Sequence, residues 1–157
     1  MSLVDVRDFQ PEDRTACRQV LNTLGDWFGI AEANEAYINI LGRIPTAVAM
    51  LEERLVGFAG LEYHYPHSAE LHVIAVEPSL HQQGTGTALL SWCEQHCLQS
   101  GADWLHVKTR GPLTPDPGYE RTRPFYLARG YKPLFETLDL WGPQDSALIM
   151  LKPVTPA

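Results

Sequence analysis

Residues 71–78, Leu71-His72-Val73-Ile74-Ala75-Val76-Glu77-Pro78, run through Ser79-Leu80 into His81-Gln82-Gln83-Gly84-Thr85-Gly86-Thr87-Ala88-Leu89-Leu90. The first part is apolar and rich in β-branched residues, so it predicts a strand. The second is polar, carries two glycines, and gives way to an apolar helical pattern from about Thr87. A strand that feeds a glycine loop opening a helix is a ready anion site. The first-turn N–H groups lack intrahelical acceptors, and the helix dipole favours negative charge there. Gly84 and Gly86 have no Cβ to hold a pyrophosphate off the backbone. Two familiar phosphate motifs do not fit. A Walker A loop needs Lys-Ser/Thr after its last glycine, where this chain has Thr87-Ala88. A dinucleotide fingerprint needs a third glycine where this chain has Leu89, and it normally follows the first strand of a parallel sheet.

Outward from this stretch, three strands are predicted upstream of the one that feeds the loop. They cover 4–7, 46–51 and 55–64, the last two forming a hairpin that turns at Glu52-Glu53-Arg54. Between the first and second, a helical pattern runs from Asp13 with Ala16, Val20, Leu21 and Leu24 on one face. Gly25-Asp26-Trp27-Phe28-Gly29 breaks it, and a second helix covers 32–41. The strand before the loop spans 70–76. Downstream come a helix over 87–98 stopped by Gly101, a strand at 104–109, and a Pro/Gly-rich loop at 110–118. A short helix at 121–129 and two strands near 134–140 and 147–152 complete the chain. The order β-α-α-β-β-β-α-β-α-β-β predicts an α+β fold, a mostly antiparallel mixed sheet flanked by helices.

The bulk properties bound the function. At 157 residues the chain is sized for a single domain, 1–157, and 45% hydrophobic against 20% charged residues supports a packed core. A net charge of -7 argues against a nucleic-acid surface, for which a basic stripe is the usual footprint. No apolar run is long enough to span a membrane, and residues 1–8 lack the order of a signal peptide. Three cysteines, Cys17, Cys93 and Cys97, suit a reducing compartment, so a cytoplasmic protein is expected. Cys93, His96 and Cys97 share a helical face with Leu89 and Leu90. A structural metal site normally needs four ligands, so this stripe reads as core and no metal is expected.

The glycine loop resembles motif A of the GNAT (GCN5-related N-acetyltransferase) superfamily. In that motif Arg/Gln-x-x-Gly-x-Gly/Ala follows a strand ending in Val-x-Pro, here Val76-Glu77-Pro78, Gly84 and Gly86. The first motif position holds His81, a departure. Leu55-Val56-Gly57-Phe58-Ala59-Gly60 is similar to the family's preceding strand. Phe125-Tyr126-Leu127-Ala128-Arg129-Gly130-Tyr131 is similar to its Phe-Tyr-x-x-x-Gly-Phe signature. Lys108-Thr109-Arg110-Gly111-Pro112, Pro115 to Tyr119, Thr122-Arg123, Trp141-Gly142-Pro143 and Leu148-Ile149-Met150 look like a bacterial subgroup of these enzymes.

The resemblance implies an acetyl-CoA-dependent N-acetyltransferase in which an amine attacks the thioester directly. It implies that the strand ending at Val76 and the strand 104–109 splay apart to admit acetyl-CoA. The pantetheine arm would run along Ile74, Ala75 and Val76, with the Val76 N–H polarising the thioester carbonyl. The pyrophosphate would sit on the loop formed by His81, Gln82, Gln83, Gly84, Thr85, Gly86, Thr87 and Ala88. Glu70 matches the catalytic glutamate of histone-type members, and His72, two residues on, is a second candidate base. Tyr126 is the candidate acid for the CoA thiolate, with packing as the alternative. Tyr119 stands where the family usually has a cofactor-contacting Asn. Candidates for the acceptor site are Asp26, Trp27 and Phe28 between the first two helices, and Tyr63 in Tyr63-His64-Tyr65. The acceptor stays open among a protein N-terminus, a lysine, an aminoglycoside, a polyamine and an amino acid. A homodimer stays open, as does an acetyl-CoA-binding sensor in place of an enzyme.

Overall fold

A computed structural model describes residues 4–25 and 28–154. The elements are β1 (Asp5–Asp8), α1 (Arg14–Asn22), α2 (Ala31–Ile40), β2 (Thr46–Leu51), β3 (Arg54–Tyr65) and β4 (Ser68–Val76). They continue with α3 (Thr85–Ser100), β5 (Trp104–Arg110), α4 (Thr122–Ala128), β6 (Lys132–Thr137) and β7 (Ala147–Pro153). The order is the expected one. Boundaries differ mainly where turns are tighter than composition suggests: β4 begins at Ser68, and α3 begins at Thr85 inside the glycine loop.

One seven-stranded sheet has the order β1-β2-β3-β4-β5-β7-β6. Its pairings are antiparallel except that of β4 with β5. α3 provides the crossover for this parallel pair, as parallel strands require. The mixed α+β architecture expected from the sequence is the one observed.

Two apolar clusters lie on the faces of the sheet. On one, α3 and α4 pack with Leu89, Leu90, Cys93, Cys97, Tyr126 and Tyr131 against Ala59, Leu61, Leu71, Leu105 and Met150. On the other, Cys17, Val20 and Leu21 of α1 and Ile38 of α2 pack against Val48, Phe58, Val73 and Ala75. Arg14 ties the α1–α2 pair together by donating to the carbonyl oxygens of Ile38 and Leu41. These carbonyls lie at the end of α2, where intrahelical donors run out.

A bulge in β4 changes which face each later residue of the strand presents. Gly60 of β3 pairs with Val73 and Leu61 pairs with Leu71, which leaves His72 as the extra residue. An extra residue bends its strand and resets the alternation of faces. Leu71 therefore belongs to the α3 cluster, while Val73 and Ala75 beyond the bulge join the α1–α2 cluster.

Candidate active site

β4 and β5 pair from Ser68–Trp104 to Leu71–Val107 and no further. Beyond that point β4 continues along β3 to Val76, and β5 continues along β7 to Arg110. The strands thus part at His72, opening a cleft between residues 72–76 and 108–110. Thr109, just past the last pair, is buried, and its Oγ1 has no partner among the described residues. Buried hydroxyls are normally satisfied, so this atom is suited to a polar ligand entering the cleft.

The glycine loop lies at the end of β4. After the turn Pro78–Leu80, Gln82 and Gly84 take left-handed backbone conformations, with φ of 65° and 90°. Gly84 adopts this region without strain, and open space surrounds the position its Cβ would occupy. The loop therefore presents the α3 N-terminus, where the N–H groups of Thr85, Gly86 and Thr87 have no intrahelical acceptors, the kind of terminus that can hold an anion. His81 Nε2 donates to the Val76 carbonyl at 2.8 Å, which ties the loop to the strand end. Gly86 has a second reason to lack a side chain: a Cβ there would lie 3.3 Å from the Phe125 ring of α4. Arg129 covers that ring, its guanidinium 3.8 Å from the centroid, and donates to Thr87 Oγ1.

Glu70 sits beside the mouth of the cleft. It is 7% exposed and draws together three cationic or imidazole groups. His64 Nε2 lies 2.6 Å from Oε1, Lys108 Nζ lies 3.1 Å from Oε2, and His106 Nε2 lies 3.6 Å from Oε1. Burial by itself would raise the Glu70 pKa. The nearby His106 imidazole and the hydrogen bonds from His64 and Lys108 outweigh it and hold the group at about 2. Glu70 is therefore a fixed carboxylate and a weak base. The sequence pointed to Glu70, and to His64 only as part of the run Tyr63-His64-Tyr65, while His106 and Lys108 were not singled out as site residues.

His72 lies against Glu62, with Nδ1 3.1 Å from Oε2, and edge-on to the Tyr37 ring of α2 at 5.5 Å. Glu62 is the register partner of Glu70, so both pairs share one face of the sheet. Tyr37 was not singled out in the sequence. Burial raises its pKa, and the nearby Glu70 charge adds to that. Tyr119 belongs to the same neighbourhood: burial, then Asp116 and Tyr37, raise its pKa. Phe28 is half-buried and packs edge-to-face on Tyr37, its centroid 5.7 Å away. Asp26 and Trp27 lie outside the described residues.

Tyr63 requires a correction. Its hydroxyl bonds to His96 Nδ1 at 2.7 Å and to Ser100 Oγ at 2.9 Å, so it lies beneath α3 on the face away from Glu70. Side chains alternate along a strand, and the neighbour His64 is the residue that faces the cleft side. Cys93 and Cys97 are buried in the α3 core, as the apolar stripe suggested.

Tyr126 is buried in α4, between Phe125 and Tyr131 at centroid distances of 5.2 and 5.7 Å. Burial raises its pKa strongly, with the Cys93 group adding to it, so the phenol stays protonated. Its hydroxyl makes no hydrogen bond to another described residue, which leaves it available as a donor.

No helix among the described residues is long and apolar enough to cross a membrane. No curated protein matches the chain in sequence. Among solved structures, it resembles a protein described as a GNAT-family acetyltransferase from Desulfovibrio desulfuricans, with TM-score 0.83 and 22% identity over 97% of this chain and 99% of that one. The ribosomal-protein-S18-alanine N-acetyltransferase of Escherichia coli gives TM-score 0.80 and 18% identity over 98% and 96%. An aminoglycoside 6'-N-acetyltransferase complexed with coenzyme A gives 0.76 and 21% over 98% of both chains. These likenesses show the fold. The sequence model of the acetyltransferase (GNAT) family matches residues 10–131, from just before α1 through the glycine loop to Tyr131. The chain belongs to the acetyltransferase (GNAT) family.

Proposed function

We propose that this protein transfers an acetyl group from acetyl-CoA to a primary amine by direct attack. The observation that carries this reading is the parting of β4 and β5 after Leu71–Val107, beside a left-handed glycine loop and one register step from Glu70. Acetyl-CoA, when bound, supplies an activated thioester carbonyl. The chain supplies the rest. The α3 N-terminal N–H groups hold the pyrophosphate, and the free edge of residues 74–76 pairs with the pantetheine amides. Thr109 Oγ1 offers a further polar contact. The Val76 N–H is placed to orient the carbonyl.

On the acceptor side, the Glu70 carboxylate draws in a cationic amine by charge. Because Glu70 is a weak base, the proton passes to an imidazole that faces it, His64 or His106, or to His72 on Glu62. A neutral imidazole suits that task near pH 7. Tyr126 donates its phenolic proton to the departing sulfur. Tyr37, Tyr119 and Phe28 wall the approach, apolar surface with a few placed polar groups being how small-molecule sites are built.

The test is CoA release, monitored with a thiol reagent, from acetyl-CoA in the presence of lysine peptides, protein N-terminal peptides, aminoglycosides, polyamines and amino acids. Amine-dependent release with at least one class is expected. Saturable acetyl-CoA binding with no release for any class would instead mark a binding module.

A further inference from the structure

We propose that His64, Glu70 and His106 form a binding site for a divalent first-row transition ion, of which Zn²⁺ is the representative. The three ligand-type side chains come from three adjacent strands, β3, β4 and β5. Glu70 and His106 are register partners, and His64 lies two residues along β3 from Glu62, the partner of Glu70 on the other side. His64 is the unpaired residue of a second bulge, between the Tyr63–Ala69 and Tyr65–Ser68 pairs, and its contact with Glu70 Oε1 puts it on the same face as the other two. Their ligating atoms lie within 4.8 Å of one another, and both imidazoles present Nε2 to the same oxygen, Glu70 Oε1. The rings lie nearly parallel, 27° apart with centroids at 5.8 Å. Two imidazole nitrogens and a carboxylate oxygen are a donor set that zinc, cobalt and nickel accept, with further positions left for water. The exposed edge of His64 gives an ion a path from solvent.

Lys108 is the competitor. Its Nζ touches both Glu70 oxygens, at 3.1 and 3.2 Å. It can keep Oε2 while Oε1 turns to an ion, but its charge opposes a cation at that distance. The site is therefore one of weak, exchangeable binding. An ion there takes the same carboxylate and imidazoles that would meet an amine, so metal and acceptor exclude one another. The other ligand-rich stretch, Cys93, His96 and Cys97, is not a rival: both thiols are buried with pKa values raised by burial, and His96 Nδ1 is held by Tyr63.

The inference does not rest on the acyl-transfer reading, because binding is measured without acetyl-CoA. The metal-free full chain, without an affinity tag, is titrated with Zn²⁺ by calorimetry and with Co²⁺ by its visible absorption. One ion per chain is expected. His64→Gln and His106→Ala should each weaken binding about tenfold or more, the scale seen when metal-site groups are altered, and the double variant should abolish it. His96→Ala should leave it unchanged, and Lys108→Met should tighten it several-fold. Circular dichroism checks each fold, and His64→Gln, at an exposed strand end, is the change least able to disturb it. Absence of binding up to millimolar Zn²⁺ overturns the site, as does equal affinity in the wild type and a folded His64→Gln variant.

Discussion

Glu70 and His106 are register partners across the sheet's parallel strand pair, one step before those strands separate. The carboxylate oxygen and His106 Nε2 lie 3.6 Å apart, and Lys108, two residues further along β5, reaches the same carboxylate at 3.1 Å. The polar centre is thus fixed to the point where the sheet opens, so its position is set by the strand pairing.

Glu70→Ala removes the common acceptor and leaves Lys108 and two imidazoles facing one another. Losing one partner of a buried ion pair costs about 3–5 kcal/mol. The partial exposure of Lys108 and His64 puts the expected loss at the lower end. Urea unfolding should show it, and amine acetylation in the folded fraction should fall, chiefly through a raised KM for the amine, because the carboxylate that draws the amine in and holds the imidazoles is gone. A variant with unchanged stability would mean the three contacts contribute nothing net.

Tyr126→Phe removes a hydroxyl that makes no hydrogen bond to the described residues, so the unfolding free energy should move by less than about 1 kcal/mol. If the phenol serves as the acid, kcat should drop by about 10²–10⁴-fold while CoA affinity holds. Near wild-type turnover under chemistry-limited conditions would return Tyr126 to packing alone.

Gly86 has two reasons to be glycine, and a pair of variants separates them. Gly86→Val should abolish the rise in Tm that CoA produces by binding the folded state. It should also clash with Phe125. Adding Phe125→Ala relieves the clash. If the double variant regains the Tm response to CoA, the glycine serves helix packing; continued loss assigns it to the phosphate site.

Tyr63→Phe tests the placement beneath α3. Loss of hydrogen bonds to His96 and Ser100 should cost about 1 kcal/mol of stability. The KM for the amine should not change. A raised KM with intact stability would put Tyr63 back in the acceptor site.

Cys17 is sealed in the α1 core, where burial lifts its pKa from 9.0 to about 12. The folded state therefore keeps the proton while the unfolded state releases it above about 9. The contribution to stability is full below pH 9 and declines as pH rises from 9 toward 12. Tm measured across that range should fall, and Cys17→Val should flatten part of the decline. At pH 8, iodoacetamide should leave Cys17 unmodified until the protein unfolds.

The order of elements, the helix-opening glycine loop and the α3 core stripe were all legible in the sequence. Each is a local pattern, a period of two or 3.6 residues, or a glycine where the backbone must turn left-handed. Glu70 and Tyr126 could be singled out because the resemblance to the family's motifs carries candidate roles onto those two positions. The partners of Glu70 could not. His64, His106 and Lys108 come from strands up to 38 residues away, and only the pairing register decides that they meet. The bulge at His72 adds a reset of face that no alternation count from one strand reveals. Tyr63 and His64 look equivalent as neighbours in an aromatic run. The tertiary structure sends one beneath α3 and the other to the carboxylate, because adjacent side chains of a strand must leave by opposite faces of the sheet.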